Sequence, residues 1–166
     1  MIEILDATEF HLPIIRSIAY RTWPETFESI LTPDQIMYML ERMYSIESLK
    51  DQTLNKGHQF IVVKIGLDYY GFSSIEFNYA ARSQTKIHKI YILPEAQGKG
   101  IGKALFAEIT KKALQAGNQK LLLNVNRNNK ATHFYQGLGF SIVDTEDIDI
   151  GNGYFMNDFV MEKSIL

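Results

Sequence analysis

Leu93-Pro94-Glu95-Ala96-Gln97-Gly98-Lys99-Gly100-Ile101-Gly102-Lys103-Ala104-Leu105 is the stretch that decides how this chain reads. An apolar, β-branched run, Ile87 to Leu93, comes before it. After it, Ile101, Leu105 and Ile109 recur at helical spacing, flanked by Phe106 and Ala113. Three glycines fall within five residues, with lysines at 99 and 103. The pattern is a strand running into a glycine-rich loop that opens a helix. Helix N-termini offer unpaired N–H groups and positive dipole potential, and glycine lets a ligand approach the backbone closely. The stretch therefore reads as a phosphate cradle.

Counting excludes two common cradles. G-x-x-x-x-G-K-[ST] fails because Gln97 and Ala104 stand where Gly and Ser or Thr are required. G-x-G-x-x-G fails from either start, at Lys103 or at Leu105. What fits is Q-x-x-G-x-G, carried by Gln97, Gly100 and Gly102.

The rest of the chain bounds the answer. A length of 166 residues predicts one domain over 1–166. A formal charge of −2 argues against a nucleic-acid binder that works by bulk electrostatics. There is no cysteine, so disulfides, thiolate ligands and a catalytic thiol are excluded. With no paired histidines at ligand spacing, no metal site is expected, and His11, His58 and His133 read as structural. No run approaches membrane-spanning length and the chain opens on a strand-like Met1 to Leu5, so a cytoplasmic protein without a membrane partner is expected.

Periodicity gives the element order. Residues 2–6 read as a strand. Thr8 caps a helix that fades at Trp23-Pro24, and Thr32-Pro33-Asp34-Gln35 opens a second helix. Ser45 starts a third, through about Asn55. Strands follow at 58–65, 69–79 and 85–93, then helix 101–116, strand 120–125 and helix 129–138. Strands 140–147 and 154–163 close the chain, joined by Asp149 to Gly153. The strand–helix–strand unit at 85–125 should be parallel and the hairpins antiparallel. The expected fold class is α/β (α+β) with a mixed sheet.

A second motif runs Asn128-Asn129-Lys130-Ala131-Thr132-His133-Phe134-Tyr135-Gln136-Gly137-Leu138-Gly139-Phe140. It matches N-x-x-A-x-x-F-Y-x-x-x-G-F at every specified position. Together with Q-x-x-G-x-G and the element order, it resembles the GNAT (GCN5-related N-acetyltransferase) superfamily over nearly the whole chain. The match is most specific from 85 to 140 and loosest from 20 to 57.

The resemblance implies a central mixed sheet of about seven strands flanked by helices, with splayed strands 4 and 5. It implies an acetyl-CoA-dependent acyltransferase that uses acetyl-CoA as co-substrate and an amine as acceptor, without a covalent enzyme intermediate. Tyr135 would protonate the departing thiolate. Tyr91, Ile92 and Leu93 would offer main-chain groups to the pantetheine arm, and an N–H near Ile92 would stabilise charge on the thioester carbonyl. The pyrophosphate would lie on Gln97, Gly98, Lys99, Gly100, Ile101, Gly102 and Lys103. Asn124, Asn128, Ala131 and Phe134 would complete the cofactor contacts. Asn128 or Asn129 can equally well cap the following helix. Dimerisation is frequent in the family, so monomer and homodimer both stay open.

The proton acceptor is less determined. Many family members carry glutamate where this chain has Lys86. Here His88 stands two residues on, as in arylalkylamine acetyltransferases, and histidine titrates near neutrality. Glu76 on the neighbouring strand is a second candidate, and a water chain a third. The acceptor pocket should draw on Tyr20, Trp23, Glu25, Phe27 and Glu28 and on Tyr154, Met156, Asn157 and Asp158. Of these, Trp23, Phe27, Glu28, Tyr154 and Asn157 are the principal candidates. Aromatics with carboxylates suit a cationic amine, and residues 20–50 faintly resemble bacterial polyamine acetyltransferases. The expected function is transfer of acetyl from acetyl-CoA to a primary amine such as a polyamine or arylalkylamine. Acetylation of a protein N-terminus or lysine, or non-catalytic acyl-CoA sensing, are the alternatives.

Overall fold

A computed structural model describes all 166 residues. The chain opens with β1 (Ile2–Asp6), then α1 (Leu12–Phe27), α2 (Pro33–Tyr44) and α3 (Ile46–Asn55). It continues through β2 (Gln59–Ile65), β3 (Asp68–Glu76), β4 (Gln84–Ile92), α4 (Ile101–Gln115), β5 (Lys120–Asn126) and α5 (Ala131–Gly137). It closes with β6 (Ser141–Gly151) and β7 (Tyr154–Ser164). The strands form one sheet ordered β1-β2-β3-β4-β5-β7-β6. The β4–β5 pair is parallel and every other pair antiparallel, so the sheet is mixed as expected.

Helix starts follow local chemistry. The Thr32 hydroxyl accepts the N–H of Gln35 at 3.2 Å, and the Ser45 hydroxyl accepts that of Ser48 at 3.1 Å. Thr8 precedes a 3₁₀ turn, Glu9–His11, that leads into α1. One boundary differs from the sequence reading: α1 does not stop at Pro24 but runs through it, and the Glu28 N–H bonds the Pro24 carbonyl at 2.9 Å. A proline inside a helix costs about 3 kcal/mol. Helical continuation puts Trp23 and Phe27 on the same buried face, rings 4.6 Å apart, and each such burial is worth about 1.5–3 kcal/mol. Tertiary packing offsets the missing bond.

The last hairpin is also tighter than expected. Gly151 pairs with Tyr154, leaving a two-residue turn at Asn152-Gly153. Both residues have positive φ (55° and 77°), the requirement of the turn that Asn-Gly favours.

The sheet is packed on both faces. On one side α1, α2 and α3 lie over Phe60, Val62 and Phe72. On the other, α4 packs on Ile61, Val63, Ile87 and Leu123. The alternation of β2 between these two cores is the period-two pattern of a central strand. No helix is long and apolar enough to cross a membrane.

Candidate active site

The sheet opens where β4 leaves β5. Their pairing covers only Gln84 to Ile87 against Lys120 to Leu123. Beyond that point β4 continues to Ile92 paired with β3 alone, while β5 continues to Asn126 paired with β7. The Leu93 N–H donates to the Tyr70 carbonyl at 2.8 Å. Antiparallel bonding alternates, so the main-chain groups of Ile90 and Ile92 turn away from β3 and into the gap. The opening coincides with a β-bulge. Ser74 pairs with Lys89 and Ile75 with Ile87, which makes His88 the extra residue.

The glycine loop closes one end of this gap. After a 3₁₀ turn at Pro94–Ala96, Gly98 and Gly100 both have φ of +80°, and a Cβ at either would meet only open space. Their glycines answer to backbone conformation, and they leave room for a ligand against the chain. Gly100 precedes α4, whose first N–H groups have no helical partner. Gly102 is different. A Cβ there would lie 3.2 Å from the Phe134 ring and 3.6 Å from Ile92, so this glycine lets α4 approach α5 and β4.

A cavity of about 1310 Å³ runs from this loop along the gap and on under α1. Tyr91, Ile92, Gln97, Gly98, Gly100, Ile101, Gly102, Lys103, Asn124, Asn128, Ala131 and Phe134 all line it. Leu93 and Lys99 do not. The Leu93 side chain is buried in the core beneath α1–α3.

Tyr135 lines the same cavity from α5. Its ring is wedged among Phe106, Phe134 and Phe140, with centroids 6.0, 5.7 and 6.0 Å away. Burial pushes its phenol pKa up to about 12, so it carries its proton at neutral pH. The helix start divides the asparagine roles. Asn129 Oδ1 accepts the Ala131 N–H at 2.9 Å and Asn126 Oδ1 accepts the Asn128 N–H at 2.9 Å. Asn129 therefore does the capping, and the exposed Asn128 side chain is left at the cavity wall.

The histidine expectation needs one correction. His58 is not isolated: its ring stacks on His88 at 3.9 Å and 13°. His88 Nε2 lies 2.8 Å from Glu76 Oε1, and His58 Nε2 3.7 Å from the same oxygen. The sequence hides this because residue 58 reaches residue 88 only across β2, β3 and β4. An Nε2–H donated to Glu76 leaves Nδ1 of His88 as its basic nitrogen. Burial, and then the charges of Lys89 and Lys86, hold the His88 pKa below the ordinary histidine value. Burial and His88 itself do the same to His58, against the pull of Glu76. Both rings are neutral at pH 7. The ligand atoms of His58, Glu76 and His88 lie within 4.8 Å of one another, close enough to hold a metal. Near-parallel rings do not aim their in-plane lone pairs at one point, so the arrangement is a poor fit for coordinating a single ion.

Two buried lysines flank the bulge. Lys86 Nζ donates to Asn124 Oδ1 and lies 5.3 Å from the Tyr79 ring. Lys89 Nζ donates to Gln52 Oε1 at 2.7 Å between the Tyr44 and Phe60 rings, and burial pulls its pKa down to about 7. Gln52 is held in place by Nε2 bonds to the Met43 carbonyl (2.8 Å) and Ser48 Oγ (3.0 Å).

At the far end, Trp23, Phe27 and Glu28 line the cavity from α1 and the turn after it, with Met156 and Asp158 from β7. Tyr154 and Asn157 are not part of its wall. Tyr154 packs on Tyr38 of α2 at 5.3 Å, and the exposed Asn157 lies on the opposite face of β7 from Asp158. Glu76 stands behind His88 rather than in the wall. The arrangement offers main-chain donors in a gap, a protonated phenol, a neutral imidazole oriented by a carboxylate, and a helix N-terminus for an anion.

Comparison with known proteins agrees with this geometry. Residues 28–162 match the family model described as Acetyltransferase (GNAT) domain. A spermidine N(1)-acetyltransferase from Thermoplasma acidophilum is 27% identical over 165 residues, covering 98% of this chain and 96% of that protein. An uncharacterized N-acetyltransferase from Lactobacillus delbrueckii subsp. lactis is 23% identical, covering 99% and 98%. The crystal structure of PaiA N-acetyltransferase from T. acidophilum in complex with coenzyme A superposes with a TM-score of 0.82 at 26% identity, covering 99% of each chain. The chain belongs to the GNAT acetyltransferases and is an acyltransferase of that family.

Proposed function

We propose that the protein transfers acetyl from acetyl-CoA to a primary amine of a small cationic molecule, a polyamine in the first instance. The observation that carries the reading is the unpaired edge of β4 opening into one cavity that runs from the glycine loop to Tyr135, His88 and Asp158. The site fits acetyl-CoA: positive-φ glycines with open space above them and free N–H groups of α4 suit the pyrophosphate, and the free edge of β4 suits the amides of the pantetheine arm. The similarity to a spermidine N(1)-acetyltransferase supports a polyamine.

The steps fall to this chain's own groups. A main-chain N–H of the free β4 edge, near Ile92, donates to the thioester oxygen as negative charge develops there. His88 Nδ1 takes the proton of the attacking amine, and Glu76 stabilises the resulting imidazolium through Nε2–H. Tyr135 gives its proton to the leaving sulfur. Direct attack fits an active site with no cysteine.

Thiol release from acetyl-CoA over polyamines, arylalkylamines, amino acids and peptides tests the reading. Turnover with a di- or polyamine is the expected result. No thiol release with any amine would overturn it, and turnover with peptides alone would move the acceptor to a protein terminus.

A further inference from the structure

Asp158 is buried, with 6% of its surface exposed, yet its Oδ1 has no hydrogen-bond partner. It lines the acceptor end of the cavity together with Trp23, Phe27, Tyr91, Met39 and Met156. Its other oxygen, Oδ2, accepts from Asn124 Nδ2 at 3.3 Å. Lys86 is engaged through its Nζ with Asn124 Oδ1 and makes no ion pair with Asp158. Glu146 stands opposite Asp158 on β6 and adds negative charge, while Arg127 is bonded to Asp147. Leaving a carboxylate oxygen buried without a donor is costly, because its lost hydration is not replaced. A site that keeps one is a site whose donor arrives with the ligand.

The chemistry of that donor can be narrowed. The buried carboxylate itself repels an anion, and the aromatic walls accept a cation's apolar stem. The nitrogen that attacks a thioester must be neutral, whereas a buried carboxylate holds an amine in its charged form. The partner of Asp158 is therefore a different nitrogen from the one acetylated. We propose that Asp158 Oδ1 pairs with a second, protonated nitrogen of the acceptor and so selects diamines and polyamines over monoamines. This rests on the amine-acetylation reading above and adds the residue that sets its specificity.

The test is calorimetric, with CoA-loaded protein, 1,4-diaminobutane and butylamine as probes. The wild type should bind the diamine at least about tenfold more tightly than the monoamine, as a charge-assisted pair to a desolvated carboxylate implies. Asp158→Asn keeps the shape and should abolish that preference, whereas Asp158→Glu should keep part of it. Acetyl-CoA affinity, measured in parallel, should be the same in all three and shows that each folds. An equal affinity of the wild type for both probes, or a preference that survives in Asp158→Asn, overturns the proposal. A diamine preference without thiol release would leave Asp158 as the anchor and overturn only the acetyl-transfer reading.

Discussion

The half of the cavity proposed to hold acetyl-CoA, its donor half, and the half proposed to hold the amine, its acceptor half, are built by different means. The donor half is mostly main chain: the free edge of β4 at Ile90 and Ile92, and the loop at Gly98 and Gly100 leading into α4. The acceptor half is side chains from distant parts of the chain, Trp23 and Phe27 from α1, His88 from a bulge, Asp158 from β7. Main-chain sites need particular backbone conformations, and these leave a mark in sequence as glycines at fixed spacing. Side-chain sites need only that the fold bring residues together, and leave no local mark.

That contrast can be broken by substitution. The largest effect is expected at the junction. Tyr135→Phe should lower kcat about 10²–10³-fold in the thiol-release assay while the acetyl-CoA dissociation constant stays unchanged, since only the proton donor is lost. Unchanged turnover would remove Tyr135 from the chemistry. Next comes the proton acceptor. His88→Gln should cost about 10–100-fold in kcat/KM for amines, and Glu76→Gln a smaller part of that, because it acts by orienting the imidazole. Equal activity in both variants would point to a water-mediated path instead.

A donor-half variant should behave in the opposite way. Gly100→Ala forces a Cβ onto a residue with φ of +80°, a strain of about 1–2 kcal/mol, and should weaken acetyl-CoA by up to about tenfold. The KM for the amine should be spared. Weaker amine binding with intact acetyl-CoA affinity would contradict the division into halves.

The smallest effect is on stability. His58 and His88 both have folded-state pKa values below the unfolded value near 6.5. The unfolded chain thus binds more protons as pH falls through about 6.5, and stability is flat above that point and declines below it. Thermal unfolding followed from pH 7 to pH 5 should show the decline, and a His58→Gln, His88→Gln double variant should flatten it.

How much was legible follows the same line. The strand–loop–helix at 87–109 and the Asn128 to Phe140 motif fix the donor half and the family, and periodicity places every strand and helix within a few residues. Two of the misjudged boundaries have local causes. Pro24 is a helix breaker by propensity and is overridden by burial of Trp23 and Phe27. Asn152-Gly153 carries its own turn signal inside a longer polar stretch. In the acceptor half, His58 could not be tied to His88 without the β2–β3–β4 register. Asn157 and Asp158 are neighbours in sequence, but only the known face of β7 tells which of them meets the cavity.

The most direct test of two separable halves is a titration of acetyl-CoA into the wild-type protein and into Asp158→Asn. Saturable binding at one site per chain, with the same affinity in both, is the expected result. Absence of saturable binding, or a loss of acetyl-CoA affinity in the variant, would contradict it.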